Sequence, residues 1–185
     1  LRVLNDDIVA PGMGFGKHPH DNMEIITIVL EGTLEHKDSM GHAQQIVPNE
    51  VQVMSAGSGV THSEYNPDAN NRTNLLQTWI FPDKKNVQPR YDQKMFPAEE
   101  RVNMLQPLVS PITNEDAGLK IYQSAWIYRT TLEAGKSVMH TLHSKQHGAY
   151  IFVIDGKVNV GDQVLGKRDA LGISETDTID IKADA

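Results

Sequence analysis

Ile28-Val29-Leu30-Glu31-Gly32 and Phe152-Val153-Ile154-Asp155-Gly156 are two copies of one pattern, an apolar run stopped by an acidic residue and a glycine. The run fits a buried strand and the acid–Gly pair fits the turn that ends it. Each copy leads into a second strand and turn. Each follows a Gly-containing, His-bearing segment, Gly14 to His20 in the first and Gly135 to His147 in the second. Self-similarity of this kind marks one supersecondary unit used twice. Val51-Gln52-Val53-Met54, Leu75 to Ile80 and Lys157-Val158-Asn159-Val160 add further short strands, with turns at Met40-Gly41 and Gly161-Asp162. No long amphipathic helix is evident. Many short strands at close spacing predict an all-β sandwich or barrel, and the repeat makes it two related barrels. Pro82, Pro89, Pro97, Pro107 and Pro111 mark an irregular connector between them. The expected divisions are 1–95 for the first barrel with the start of the connector, 96–118 for the linker and 119–185 for the second barrel.

A chain of 185 residues with 39% hydrophobic and 22% charged residues can bury a substantial core as an ordinary soluble protein. The formal charge of −7, with Lys and Arg scattered, argues against direct contact with nucleic acid or anionic lipid. The absence of cysteine excludes disulfides and thiolate chemistry and leaves His, Asp and Glu as metal donors. No apolar segment is long enough to span a membrane as a helix, so a cytoplasmic protein is expected. The chain opens without Met on Leu1-Arg2-Val3-Leu4 and ends near Ile179-Asp180-Ile181-Lys182, both strand-like. Both termini of a longer protein are expected to be missing.

Two polar motifs interrupt the apolar runs, His18-Pro19-His20 and His62-Ser63-Glu64. Side chains at i and i+2 of a strand share a face, so each motif projects two donors together. If the two strands face one another, three imidazoles and a carboxylate converge. Such a donor set suits a borderline divalent cation, Fe(II), Mn, Co, Ni or Cu. Strands hold ligands rigidly, as inner-sphere chemistry requires. Glu64 has two roles open to it, as ligand and as general base on an acidic substrate hydroxyl. A lone His-x-His also occurs on strands by chance, and neither motif is decisive alone.

With their surroundings the motifs become specific. Gly12-x5-His18-x-His20-x3-Glu24, followed by a strand to Gly32, resembles the first motif of the cupins, and Gly59-x2-His62-x3-Asn66 resembles the second. The stretches Gly14 to His20, Val29 to Gly41 and Met54 to Glu64 resemble the pirins in particular. That resemblance implies two jelly-roll-type cupin barrels packed together, with metal only in the N-terminal one. It further implies iron as the metal, held by three His and one Glu at the positions of His18, His20, His62 and Glu64. Fe(II) is therefore expected foremost, with Mn, Co, Ni, Cu and Zn as alternatives. An ordinary cupin would take its carboxylate from Glu24, whereas the pirin pattern takes it from Glu64, which shares a strand face with His62.

The second half departs from this pattern. Aligning Gly156 with Gly32 sets Leu142 against His18 and Ser144 against His20, and leaves His140, His143 and His147 out of register. The C-terminal barrel is expected to hold no metal. His36 and His42, on or beside a turn, are expected to be solvated. Met13, Phe15, Met23, Met54 and Trp79 are expected in the barrel core.

The resemblance implies two functions. One is an oxygenase similar to quercetin 2,3-dioxygenases, opening the central ring of a flavonol-like phenol with dioxygen and loss of carbon monoxide. Glu64 would take the 3-hydroxyl proton. The alternative is a non-enzymatic, iron-dependent redox-sensing protein that acts through a protein partner. A structural cupin with an adventitious metal is the third reading, disfavoured by four matched ligand positions.

Overall fold

The structure is a computed structural model that describes residues 1–184. It divides into two compact units, residues 1–97 with 107–128, and residues 98–106 with 129 onward. The segment 96–118 therefore contributes to both units, through a short 3-10 helix at Ala98–Arg101 and strand β10.

The strands of the first unit are β1 (Val3–Val9), β2 (Gly14–His20), β3 (Glu24–Glu31), β4 (Leu34–Asp38), β5 (Ala43–Ile46), β6 (Glu50–Ser55), β7 (Val60–Tyr65), β8 (Thr73–Ile80) and β9 (Arg90–Met95). They are joined by β10 (Gln106–Pro111), β11 (Leu119–Ile121) and β12 (Ile127–Arg129), a small sheet in the order β11-β10-β12. The main sheets are β1-β8-β3-β6-β9 and β2-β7-β4-β5. Strand β3 lies between β8 and β6, with Ile25 and Ile26 both fully buried, which accounts for its unbroken apolar sequence.

Strand alternation sorts the interior into layers. Ile25 packs with Met23, Met54, Ala56 and Val60. Val29 packs with Val9, Leu34, Ile46 and Leu75. Thr27, midway between Ile25 and Val29 on the same face of β3, aligns with Gln52 of β6 and Gln77 of β8, and all three are buried. In the other sheet His36 follows Leu34, and His62 and Glu64 follow Val60, each at a spacing of two. A polar layer thus lies between two apolar clusters.

The second unit contains β13 (Ser137–Thr141), β14 (Ala149–Phe152), β15 (Val158–Val160), β16 (Gln163–Leu165), β17 (Ala170–Ile173) and β18 (Thr178–Ala183). Its sheet β13-β18-β15-β16 has the connectivity of β2-β7-β4-β5, and β14 pairs with β17 as β3 pairs with β6. Gly32 and Gly156 both take positive φ, at 77° and 82°, in the turns after β3 and β14. The repeat read from the sequence is one strand plan used twice.

Register locates the equivalent positions. His18 lies opposite His62, and His140 lies opposite Ile179. His36 lies opposite Glu64, and Val160 lies opposite Ile181. His140 therefore corresponds to His18, Leu142 to His20, Ile179 to His62, Ile181 to Glu64 and Val160 to His36. This corrects the glycine-anchored alignment, which set Leu142 against His18 and Ser144 against His20. The connection from β13 to β14 is longer than that from β2 to β3, and the extra residues displace the match. Val160 and Ile179 belong to the core of the second unit, with Leu142 and Ile181 packed against it.

Gly14 sets the approach of β2 to β7. A Cβ at this position would lie 2.1 Å from the Glu64 carbonyl oxygen and 2.6 Å from Tyr65 Cα. Neither is the movable end of a side chain, so strand β7 itself would have to shift. Gly14→Ala is expected to destabilise the protein by about 1–3 kcal/mol in denaturant titrations, the usual cost of overpacking. An unchanged midpoint would contradict the close approach.

Candidate metal centre

The two sequence motifs lie side by side on paired strands. Between the pairs Phe15–Glu64 and His18–His62, β2 advances three residues while β7 advances two, a β-bulge. The extra residue changes the phase of β2, so that His18 and His20 turn to the side on which His62 lies. The Gly16 carbonyl of the bulge accepts a hydrogen bond from His18 Nδ1 at 2.7 Å. Phe15 is 46% exposed, and Met13, just before β2, is 61% exposed. Neither is a core residue as expected, whereas Met23 and Met54 are buried and Trp79 packs against their cluster.

One donor atom from each of His18, His20 and His62 lies within 4.8 Å of the other two. The rings are 4.4 to 5.0 Å apart between centroids. Nε2 of His20 and Nε2 of His62 are buried and make no hydrogen bond among the described residues. With His18 Nδ1 donating to Gly16, its Nε2 is also the nitrogen left with a lone pair. Ring nitrogens brought together without a hydrogen-bond partner fit a cation. Burial lowers the pKa of His62 to about 3, helped by neighbouring His18, His36 and His20. Burial, then His18, lowers that of His20. Both imidazoles are therefore neutral donors at physiological pH.

Glu64 falls in a second group, within 4.8 Å of His36 and His62. Burial raises its pKa, opposed by the Gln77 amide and by His18. Gln77 Nε2 donates to both carboxylate oxygens, at 3.1 and 2.9 Å. Trp79 Nε1 donates to Gln77 Oε1 at 2.9 Å, which fixes the amide with its NH2 towards Glu64. The Trp79 ring also stands edge-on to His20, at 4.9 Å between centroids. Glu24 lies in the opposite sheet, fully buried, accepts from Ser55 Oγ at 2.7 Å, and belongs to neither donor group.

His36 is the residue that sequence reading misplaced. It is fully buried on β4, with its ring 5.2 Å from that of His62, and is not solvated. The signal was its spacing of two from the apolar Leu34. His42 is partly exposed and bonds Asp38 at 2.9 Å. Among the described residues, both groups of metal-capable side chains lie in the first unit. A depression of about 500 Å³ lined by Pro19, His20, Asp21, Gly59 and Thr61 borders the site, within the size range of small-molecule pockets. A smaller one of about 150 Å³ reaches His62 beside Ser63 and Lys37.

Comparison with known proteins agrees with this arrangement. The family model described as Pirin matches residues 1–80, and that described as Quercetinase C-terminal cupin domain matches residues 108–185. A quercetin 2,3-dioxygenase of Escherichia coli K12 is 42% identical over 185 residues, covering 100% of this chain and 78% of the relative. The chain belongs to the pirin family. A pirin-like protein of Caulobacter vibrioides is 38% identical over 183 residues, covering 99% of this chain and 78% of the relative. The crystal structure of the bacterial pirin YhhW from Escherichia coli in complex with nickel(II) superposes with a TM-score of 0.92 at 40% identity, covering 100% of this chain and 77% of that one. The pirin fold of two cupin barrels is therefore the fold of this chain. No helix among the described residues is long and apolar enough to cross a membrane.

Replacing Gln77 by Leu removes the amide that donates to both oxygens of a buried carboxylate. Gln77→Leu is expected to destabilise the metal-free protein by about 1–3 kcal/mol, the cost of leaving a buried acceptor unsatisfied. Gln44→Leu, on exposed β5, should stay within about 0.5 kcal/mol of wild type. Equal effects of the two would show that the amide does not support Glu64.

Proposed function

We propose that the protein is a metal-dependent dioxygenase of flavonol-like phenols, with His18, His20, His62 and Glu64 of the N-terminal barrel as the metal ligands. The observation that carries this reading is the convergence of His18, His20 and His62, one ring nitrogen of each within 4.8 Å of the others, with the buried Nε2 of His20 and of His62 making no hydrogen bond among the described residues. Beside them, one strand position pair from His62, stands a buried carboxylate. Names of relatives, quercetin 2,3-dioxygenase at 42% identity among them, support the substrate class. Three imidazoles and one carboxylate without thiolate suit Fe(II), and the nickel-bound relative supports a site that also accepts other divalent ions.

Held by these four residues, a divalent metal would supply a positive, Lewis-acidic centre that favours the ionised form of an enediol-like substrate. Glu64 accepts the 3-hydroxyl proton on a carboxylate oxygen. Burial raises its proton affinity towards the range useful for a general base. Gln77, anchored by Trp79, holds that carboxylate in one orientation before and after the transfer. The depression beside His20 receives the aromatic rings, and its wall of Pro19, Gly59 and Val60 offers an apolar face. For a flavonol the overall change is flavonol plus dioxygen to an ester-linked depside plus carbon monoxide.

The test is metal analysis of the purified protein followed by oxygen uptake and carbon monoxide release with quercetin on the iron-loaded form. About one metal per chain, lost in His62→Ala, and uptake equal to quercetin consumed are expected. Glu64→Gln should lower the rate by about 10²- to 10⁴-fold per bound metal, the usual contribution of a general base. Bound iron without uptake would transfer the weight to a redox-sensing partner protein. Full activity per metal in Glu64→Gln would remove the residue from the proton transfer.

A further inference from the structure

His62 is linked to the protein surface by a chain of three side chains that the metal-binding reading does not use. Its Nδ1 lies 3.4 Å from Nδ1 of His36. His36 Nε2 lies 3.1 Å from Oδ2 of Asp38. Oδ2 of Asp38 also receives His42 Nδ1, at 2.9 Å. The other oxygen, Oδ1, accepts the backbone N–H of Met40 at 2.9 Å and of His42 at 3.1 Å. The Asp38 and His36 side chains are fully buried. Tyr91 closes the chain on one side, its ring stacked on His42 at 4.7 Å and lying 4.9 Å from His36.

Proton accounting along this chain has one consistent solution. A carboxylate only accepts, so His36 carries its proton on Nε2, facing Asp38. Its Nδ1 is then a lone pair. The facing Nδ1 of His62 must donate to it, and His62 Nε2 is left as a lone pair on the side of His18 and His20. His62 Nε2 is buried and makes no hydrogen bond among the described residues, so no acceptor faces a proton there.

We propose that Asp38 and His36 are positioning residues that fix His62 in its Nδ1–H tautomer and thereby present Nε2 as a metal donor. This rests on the metal-binding reading above for its consequence, though the tautomer itself is a property of the metal-free protein. Carboxylate partners of this kind orient metal-binding imidazoles and increase their basicity. Here the carboxylate acts through a second imidazole, one step further from the metal than a direct partner.

Asp38→Asn tests it, because the side chain cannot rotate out of the problem. The amide oxygen must replace Oδ1 to accept the Met40 and His42 backbone N–H groups. The NH2 then faces His36 Nε2, which has to become an acceptor. His36 moves its proton to Nδ1, and His62 is driven to the Nε2–H tautomer. Long-range ¹H–¹⁵N correlation spectra of the metal-free protein should show His62 as Nδ1–H in wild type and Nε2–H in Asp38→Asn. Nickel(II) affinity by calorimetry should fall by about 10- to 100-fold in Asp38→Asn.

A second pair of variants keeps the test decisive should Asp38→Asn fail to fold. His36→Gln retains an acceptor for His62 and a donor for Asp38, and should hold nickel near wild-type affinity, whereas His36→Leu should lose about 10-fold or more. A wild-type His62 carrying its proton on Nε2 would overturn the proposal. So would equal nickel affinity in His36→Leu and His36→Gln. So would a second equivalent of nickel that disappears in His36→Leu, since it would place an ion where the proton is assigned. A wild-type protein that binds no nickel while showing the Nδ1–H tautomer would instead overturn the metal-binding reading and leave the dyad standing.

Discussion

The antiparallel pairing of β2 with β7 across one bulge is the constraint on which the site depends. A regular pair would keep positions 15 and 18 on opposite faces while 64 and 62 share one. The inserted residue absorbs that mismatch and brings His18 and His20 to the side of His62. The same bulge supplies the Gly16 carbonyl that fixes the His18 ring, so backbone irregularity and ligand orientation have one origin. Gly14 permits the strands to approach closely at the end of the pair beyond Phe15.

The second consequence is energetic. A barrel interior filled with Gln52, Gln77, Thr27, His36, His62 and Glu64 gives up apolar contact and desolvates polar groups, each costly unless hydrogen-bonded. The apolar clusters on either side offset this, with Ile25 and Met54 in one and Val29 and Leu34 in the other. The C-terminal unit shows the alternative filling of the same strand plan. At positions equivalent to His62, Glu64, His20 and His36 it places Ile179, Ile181, Leu142 and Val160. Side chains of that kind pack well and hold no lone pair. One architecture thus serves once as a polar chamber and once as an ordinary core.

Period-two reasoning made much of this legible. His18 with His20, and His62 with Glu64, share faces because a strand alternates. The two acid–Gly stops read correctly as strand ends because few other residues allow positive φ. What escaped had specific causes. Phe15 and Met13 are large and apolar, and residue type alone does not tell that the start of β2 leaves them in water. His36 looks the same in sequence whether a turn leaves it in water or a neighbouring strand covers it, and only the pairing of β4 with β7 decides. The second repeat was misaligned because a glycine anchor fixes one turn and says nothing of the loop before it.

These observations separate two tasks that a buried metal site imposes. Donors must be held neutral with their lone pairs aimed at one point, and the remaining hydrogen-bonding atoms must be satisfied so that the donors cannot turn away. In this chain each donor has its own support. Gly16 holds His18, the Trp79–Gln77 pair holds Glu64, Trp79 packs against His20, and the Asp38–His36 pair faces His62. The supports come from β2, β4 and β8, so both main sheets of the barrel are committed to the site. A metal ion bound here would add its free energy to that of the folded barrel, because an unfolded chain has no such convergence. The N-terminal unit would then be stabilised by metal. The C-terminal unit has isoleucines at two of the corresponding positions, Ile179 and Ile181, packed in its apolar core.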